Sequence, residues 1–228
     1  MRDGKFVSYD SSLGSETLVA TAATSSGNGM AYYNNYIYVF RNTDVDRYGP
    51  LNNSPAYATG VWTGATLGSL TALTNTTYPS HRGAAGTLPN HVAHVHGDGA
   101  LYFADFIDGQ GLLHKIRTSK VTDEGDTNNA SAYNVLDLPF GYMPTAIASY
   151  GTDLVIAAVQ TTNSTLTQGP AALFFWDTFA DSFYRQVDLP DTMVTALQMS
   201  NGFLYIWSGS LEDNGYRISS YAGSQQIQ

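Results

Sequence analysis

The side chains best suited to chemistry in this sequence are the histidines of the segment HVAHVH: His91, His94 and His96. Residues two apart in a β-strand point to the same face, so His94 and His96 would present two imidazoles together. Imidazole nitrogen is a common ligand of divalent metals, and His91 could supply a third ligand from a loop. The segment is therefore a candidate divalent-cation site. Because no Glu-x-x-His signature accompanies them, the better interpretation is that these histidines line a channel or pack in the core.

A second pattern with metal-ligand character lies in the segment NTDVDRYG. Asn42, Asp44 and Asp46 place side-chain oxygens at alternate positions, as a calcium loop does. The pattern then fails, because Arg47 stands where a glycine is expected and Asn53 stands where a closing acidic residue is expected. A polar hairpin turn is the better interpretation.

Signatures of catalysis are sparse. No Gly-x-Ser-x-Gly nucleophile elbow occurs. Glycoside hydrolysis would need two carboxylates from different parts of the chain to converge, and nothing in the sequence shows that they do. Four residues near turns are the candidates for it: Asp98, Asp105, Asp108 and Asp153. The sequence therefore favours a non-enzymatic protein with no cofactor other than the candidate divalent cation.

Aromatic side chains are the other resource for binding. A rigid exposed ring stacks on a sugar or anchors a protein partner with little loss of entropy. The residues predicted to bind in this way are Tyr32, Tyr33, Trp62, Tyr184 and Tyr216. A second group is expected to fill the spaces between packed sheets: Tyr38, Tyr102, Trp176, Tyr205 and Trp207.

Charge and composition exclude several classes of function. The 19 acidic and 10 basic residues give a net charge of −9, and no cluster of Lys and Arg occurs, so nucleic-acid binding is disfavoured. There are no cysteines, which excludes disulfides and thiolate chemistry. No apolar run approaches the roughly 18 residues of a membrane span.

The pattern of apolar residues is that of short β-strands, and it repeats. Four apolar-aromatic or apolar-aliphatic cores follow Asn, Gly or Asp turns, with central residues 64, 53 and 50 positions apart. Each core is preceded by a strand of small residues and followed by a further strand. The cores are Ile37-Tyr38-Val39, Leu101-Tyr102-Phe103, Leu154-Val155-Ile156 and Leu204-Tyr205-Ile206.

A unit of four antiparallel strands in roughly 50 residues is the blade of a β-propeller. We therefore predict an all-β fold, a single β-propeller domain over residues 1–228 with about four to five four-stranded antiparallel blades. The predicted blades are 30–74, 91–138 and 144–188, with partial blades at 1–24 and 194–222. A β-sandwich is the alternative, but it predicts no internal repeat.

The two ends of the chain are out of phase with the repeat. The N-terminal KFVSYDSSLGSETLVAT aligns with LFFWDTFADSFYRQVDL, which places Tyr9 with Trp176 and Asp10 with Asp177. The chain thus begins with the third and fourth strands of a blade and ends with the first three of another. Pairing TLVAT with the last strand would close the ring and hide its sheet edges.

Two segments, ALFFWDTFADSFYRQVDLP and VTALQMSNGFLYIWSG, resemble propeller segments of virion and tail structural proteins of tailed bacteriophages. The resemblance implies a non-enzymatic interaction module, located on a virion or outside the cell. It would dock on other virion or surface proteins or on the host surface, with glycans as a second class of partner. The alternatives are a lectin-like carbohydrate-binding propeller, which needs aromatics on one face, and a propeller glycoside hydrolase, which needs two carboxylates about 5 to 9.5 Å apart.

Overall fold

The computed structural model describes residues 5–21, 29–40, 44–63, 92–107, 109–116, 132–163, 166–209 and 215–223. In these ranges the chain forms 17 antiparallel strands in five sheets and no helix. The strands are rich in β-branched and aromatic residues, which suit a pleated surface packed on both sides. The predicted all-β propeller is confirmed, with five sheets of two to four strands.

Three sheets have four strands each, in the order of the sequence. Blade A contains β3 (Gly29–Tyr33), β4 (Tyr36–Phe40), β5 (Asp44–Gly49) and β6 (Ala56–Thr63). Blade B contains β7 (Val92–Val95), β8 (Leu101–Ile107), β9 (Gln110–Ile116) and β10 (Ala132–Asp137). Blade C contains β11 (Tyr142–Tyr150), β12 (Asp153–Asn163), β13 (Leu166–Trp176) and β14 (Arg185–Asp188).

Two smaller sheets come from the ends of the chain. Blade D contains β15 (Met193–Ser200), β16 (Phe203–Gly209) and β17 (Tyr216–Tyr221). The N-terminal hairpin contains β1 (Lys5–Tyr9) and β2 (Glu16–Thr21). The four cores recognised in the sequence lie in β4, β8, β12 and β16, the second strand of each blade.

Successive blades stack face to face through their first strands, β3 on β7, β7 on β11 and β11 on β15. Side chains of a strand alternate between the two faces of its sheet, so the second strand of a blade contributes to two cores. On β12, Ile156 packs toward blade B, whereas Val155 and Ala157 pack toward blade D. All three are fully buried. The core is therefore a series of layers between blades.

The N-terminal hairpin has the local structure of the third and fourth strands of a blade. Asp10 Oδ1 accepts hydrogen bonds from the Ser12 hydroxyl at 2.8 Å and from the Gly14 N–H at 2.8 Å. Asp177 Oδ1 accepts from the N–H groups of Ala180 at 2.8 Å and Phe179 at 2.9 Å. These bonds lower the pKa of both carboxyls. The aligned aspartates thus open equivalent turns.

The predicted closure of the ring by strand pairing is not seen in the described ranges. There β2 is hydrogen-bonded to β1 and β17 to β16, with no pairing between β2 and β17. The local hairpin turn at Asp10 accounts for the observed partner of β2. Among the described residues, no helix has the length and apolar character needed to cross a membrane.

Candidate functional site

A pocket of about 400 Å³ lies between the outer strands of blades B and C, and we call it the outer pocket. The end of β10 supplies Asp137 to one side. The loop between β13 and β14 supplies Asp181, Phe183 and Tyr184 to the other, and Phe174 of β13 also lines it. Two carboxylates and several aromatic rings therefore share one concavity, which is the composition of a site for a polar ligand with apolar faces.

The loop that carries Asp181 is held on both sides. Before it, the Trp176 Nε1–H donates to the Ala180 carbonyl at 2.7 Å, and Asp177 accepts the two N–H bonds described above. After it, the Tyr184 N–H donates to the Phe175 carbonyl at 3.1 Å. The Tyr184 hydroxyl donates to Asp153 Oδ2 at 2.5 Å, so its ring is held in position while 56% of the residue stays exposed. Side chains on such an anchored loop need little ordering when a ligand binds.

The opposite wall of the outer pocket is anchored to blade B. Asn134 Nδ2 donates to Asp137 Oδ1 at 2.5 Å. The Leu138 N–H donates to the Gly111 carbonyl at 2.9 Å, which fixes the chain just after β10. Phe174, on the blade C side, is buried with its ring 5.2 Å from that of Phe183. Both walls are therefore positioned by packing and hydrogen bonds that need no ligand.

Two of the four aspartates that the sequence nominated for glycoside hydrolysis, Asp98 and Asp153, have other partners. Asp98 accepts from Lys115 Nζ at 2.8 Å and from the Tyr102 hydroxyl at 2.8 Å. Burial alone would raise the pKa of Asp98, but these bonds outweigh it and hold the pKa below the ordinary value. Asp153 accepts from Tyr184. The Asp105 side chain and residue 108 lie outside the described part of the structure.

The segment that resembled a calcium loop, for which a polar hairpin turn was the better interpretation, contributes Asp44 and Asp46 to strand β5. Asp46 lies in β5 and is fully buried, where it accepts from the Tyr57 hydroxyl at 2.5 Å and from the Gly60 N–H at 2.8 Å. Residue 42 and the Asp44 side chain lie outside the description. Asp46 therefore stabilises the pairing of β5 with β6, as a buried charge needs hydrogen-bond donors around it.

The five aromatics predicted to bind ligands fall in different environments. Tyr184 lines the outer pocket. Tyr216, 69% exposed, lines a second concavity of about 580 Å³ on blade D, together with Trp207 and Ile218. Tyr32 is exposed on β3. The Trp62 side chain lies outside the described set.

The prediction that Tyr33 is an exposed binding residue is corrected by the structure. Only 4% of it is exposed, because it lies on the face of β3 that packs against blade B. The period-2 alternation of β3 separates Tyr32 from Tyr33, and this signal was available in the sequence. Of the aromatics expected between sheets, Tyr38, Tyr102 and Trp176 are buried, whereas Tyr205 and Trp207 are half-buried.

The predicted histidine pair lies between blades B and C. His94 Nε2 is 2.7 Å from Ser149 Oγ, and His96 Nδ1 is 2.8 Å from the same oxygen. Burial, with a smaller effect of the neighbouring His96, lowers the pKa of His94 to about 4. Residue 91 lies outside the described ranges, and within them no three His, Cys, Asp or Glu side chains are grouped to hold a metal ion.

The outer pocket was missed by sequence reasoning except for Tyr184. Asp137 and Asp181 are 44 positions apart and belong to different blades, so no local spacing connects them. The available signal was compositional: Asp181 stands in the segment TFADSFYR, between aromatic residues and close to Tyr184.

No protein-family model and no curated protein matches the sequence. Solved structures are similar over nearly the whole chain. An α-L-arabinofuranosidase from Clostridium thermocellum has a TM-score of 0.52 and 13% identity, covering 95% of this chain and 78% of that one. A gluconolactonase from Xanthomonas campestris has a TM-score of 0.56 and 14% identity, covering 99% and 67%. The Dos1 propeller has a TM-score of 0.53 and 13% identity, covering 95% and 50%.

These similarities establish the fold as that of a β-propeller. The expectation of a non-enzymatic protein is withdrawn, because structures that share the fold include an arabinofuranosidase and a gluconolactonase, so the fold gives no ground for excluding catalysis. That expectation rested on the absence of a local catalytic signature. A propeller brings together residues from different blades, so such a signature is not required.

Proposed function

We propose that the protein is a carbohydrate-active propeller that binds a glycan in the outer pocket and hydrolyses it with Asp137 and Asp181. The observation that carries the proposal is that both carboxylates line one pocket of about 400 Å³ beside Phe183 and Tyr184. Two of the similar solved structures are an arabinofuranosidase and a gluconolactonase, which supports a sugar-derived substrate.

The aromatic residues suit the apolar faces of a sugar ring. The Tyr184 hydroxyl is used by Asp153, so the ring keeps one orientation and offers its exposed surface to the pocket. Phe183, the residue before Tyr184 in the sequence, packs its ring on that of Phe174. Sugar hydroxyls need hydrogen-bond acceptors as well, and the two carboxylates supply them.

The chemistry follows from a pair of carboxyl groups on either side of a glycosidic bond. One carboxylic acid gives its proton to the leaving oxygen as the bond to the anomeric carbon breaks. Water supplies the new oxygen on that carbon, and the other carboxylate assists the attack or first forms a glycosyl ester that water then hydrolyses. The separation of the two groups with substrate bound determines which course is followed, and the configuration of the released sugar reports it.

The test is the release of reducing sugar from a panel of arabinose-, xylose-, galactose- and glucose-containing polysaccharides and aryl glycosides. We expect the parent protein to hydrolyse at least one substrate. Asp137→Asn and Asp181→Asn should each reduce the rate by about 100-fold or more, since each removes one of the two carboxyl groups that the reaction requires. Asp10→Asn is the matched control, because Asp10 is exposed in the N-terminal hairpin and does not line the pocket.

Two results would overturn the assignment of the site. Either the parent hydrolyses none of the panel, or the Asp10→Asn control loses as much activity as the pocket variants. Binding of an oligosaccharide that Tyr184→Ala weakens, without hydrolysis by the parent, would instead support the lectin-like alternative. Docking on virion or surface proteins stays a prediction from the sequence.

A further inference from the structure

Two histidines and a serine of the innermost strands form a cluster distinct from the outer pocket. His94 lies on β7, His96 directly follows it, and Ser149 lies on β11 of the next blade. Neither ring nitrogen is more than 2.8 Å from Ser149 Oγ. Both rings therefore point at one position, and the cluster bridges blades B and C.

The hydrogen bonds fix the form of the His96 ring. His96 Nε2 is 3.0 Å from the Thr152 carbonyl oxygen, which can only accept, so Nε2 carries a hydrogen. In the neutral ring Nδ1 is then the acceptor, and the Ser149 hydroxyl donates to it. The one hydroxyl hydrogen is used in that bond, so His94 Nε2–H donates to Ser149 Oγ.

This arrangement shares two features with metal sites, an oriented histidine ring and ring nitrogens that converge. A metal-binding histidine usually donates its second ring N–H to a carbonyl or carboxylate, which orients the ring, and the Thr152 carbonyl does this for His96. Imidazole nitrogens converging on one point are suitable ligands for zinc and related ions. The position at which the rings converge is now taken by Ser149 Oγ.

We propose that His94 Nε2 and His96 Nδ1 bind a divalent first-row transition ion between the two rings, closer to both nitrogens than Ser149 Oγ now lies. Binding requires the His94 hydrogen to move from Nε2 to Nδ1 and the Ser149 side chain to turn aside or coordinate. Water completes the coordination. The ion would join blades B and C near their first strands, and it would stabilise the fold independently of any activity in the outer pocket.

The experiment is a titration of the chelator-treated, full-length protein with Zn²⁺, followed by calorimetry and by thermal unfolding. We expect one equivalent to bind and the midpoint of unfolding to rise. His94→Gln and His96→Gln should each weaken binding by about tenfold or more, since each removes a ligand. Ser149→Ala should bind as tightly as the parent or more tightly, because it removes the group that occupies the position.

His114→Phe is the matched control. His114 is a buried histidine of the same blade whose ring stacks on Phe103 at 4.9 Å. It should bind Zn²⁺ like the parent. Circular dichroism confirms that each variant is folded before titration. The proposal is overturned if the parent binds no Zn²⁺, or if both glutamine variants bind it as the parent does. A cluster that only holds the blades together would give glutamine variants that are destabilised equally with and without the metal.

Discussion

Blade C and blade D have the same order of strands but differ in how many of their faces are covered. Blade C packs on blade B through residues such as Ile156 and on blade D through residues such as Val155. Blade D packs on blade C through Leu204 and Ile206. Its opposite face, which we call the open face, exposes large apolar side chains, including Ile218 at 62% and Phe203 at 42%.

The difference shows that strand sequence alone does not determine burial in a propeller. In β16 the residues Phe203, Tyr205 and Trp207 alternate with Leu204, Ile206 and Ser208, so both sets are large and mostly apolar. Only the second set meets a neighbouring blade in the described structure. The stability of each blade should therefore depend on its neighbours, as expected for stacked repeats.

The largest effect is expected when a phenylalanine on a covered face is replaced by alanine, compared with the same substitution on the open face. Phe175 is 1% exposed, and its ring lies 5.3 Å from that of Tyr221. Phe175→Ala should lower the free energy of unfolding by about 3–5 kcal/mol, because it leaves a cavity between blades C and D. Urea denaturation measures this. The matched variant Phe203→Ala on the open face should cost about 0.5 kcal/mol. Equal losses would mean that the open face is covered in solution.

The second prediction concerns the pH dependence of stability that arises from a histidine buried on a covered face. His114 is buried on the face of blade B that carries Phe103, and burial lowers its pKa from 6.5 to about 4, although the charge of Asp137 acts in the opposite direction. The unfolded chain therefore binds a proton that the folded chain does not between these values. Stability contributed by the neutral ring is complete above pH 6.5 and is lost as pH falls toward 4.

The measurement is the free energy of unfolding in urea between pH 4 and 7, for the parent and for His114→Phe. One unit of pKa difference corresponds to about 1.4 kcal/mol, so the parent should lose stability on acidification more steeply than the variant. Identical slopes would show that His114 does not titrate in this way.

A smaller effect is expected from a buried carboxylate at the junction of blades C and D. Asp191 is buried, accepts from the Ser208 hydroxyl, and pairs with Arg217 Nη2 at 2.6 Å. Asp191→Ala should cost about 1–3 kcal/mol, since the buried Ser208 hydroxyl loses its acceptor. Arg217→Ala should cost less than Asp191→Ala, because the Ser208 hydroxyl still donates to the buried carboxylate and the lost guanidinium is partly exposed. Thermal unfolding of both variants measures the two losses of stability, and a larger loss for Arg217→Ala than for Asp191→Ala would contradict the prediction.

The smallest change in stability is expected for a substitution on the open face, at Ile218. Ile218→Thr keeps a β-branched residue in β17 and removes apolar surface that is already in contact with water. The expected change in the free energy of unfolding is about 0.5 kcal/mol or less. Chemical denaturation measures it, and sedimentation shows whether the variant associates less than the parent. A loss of several kcal/mol would mean that Ile218 is packed.

The fold could be predicted because the information for it is local and repeated. The cores around Tyr38, Tyr102, Val155 and Tyr205 mark the second strand of every blade, and turn residues separate the strands. The alignment of Asp10 with Asp177 also identified the N-terminal hairpin, since both carboxylates accept backbone N–H bonds in the turn between two strands.

The candidate sites depend on which strands become neighbours, and spacing does not encode this. His94 meets Ser149, 55 residues away, only because blades B and C stack. Asp137 and Asp181 share a pocket for the same reason. The predicted pairing of β2 with β17 is likewise a contact between distant parts of the chain, and it is not seen in the described ranges, where β2 pairs with β1 and β17 with β16.

The assignment of the outer pocket is best tested by a crystal structure of Asp181→Asn soaked with an oligosaccharide that the parent hydrolyses. The variant should keep the substrate intact. We expect electron density for the sugar in the outer pocket, with one sugar ring against Tyr184 and the scissile bond beside Asp137. Density only on the open face, against Trp207 and Tyr216, would contradict it and would assign carbohydrate recognition to blade D.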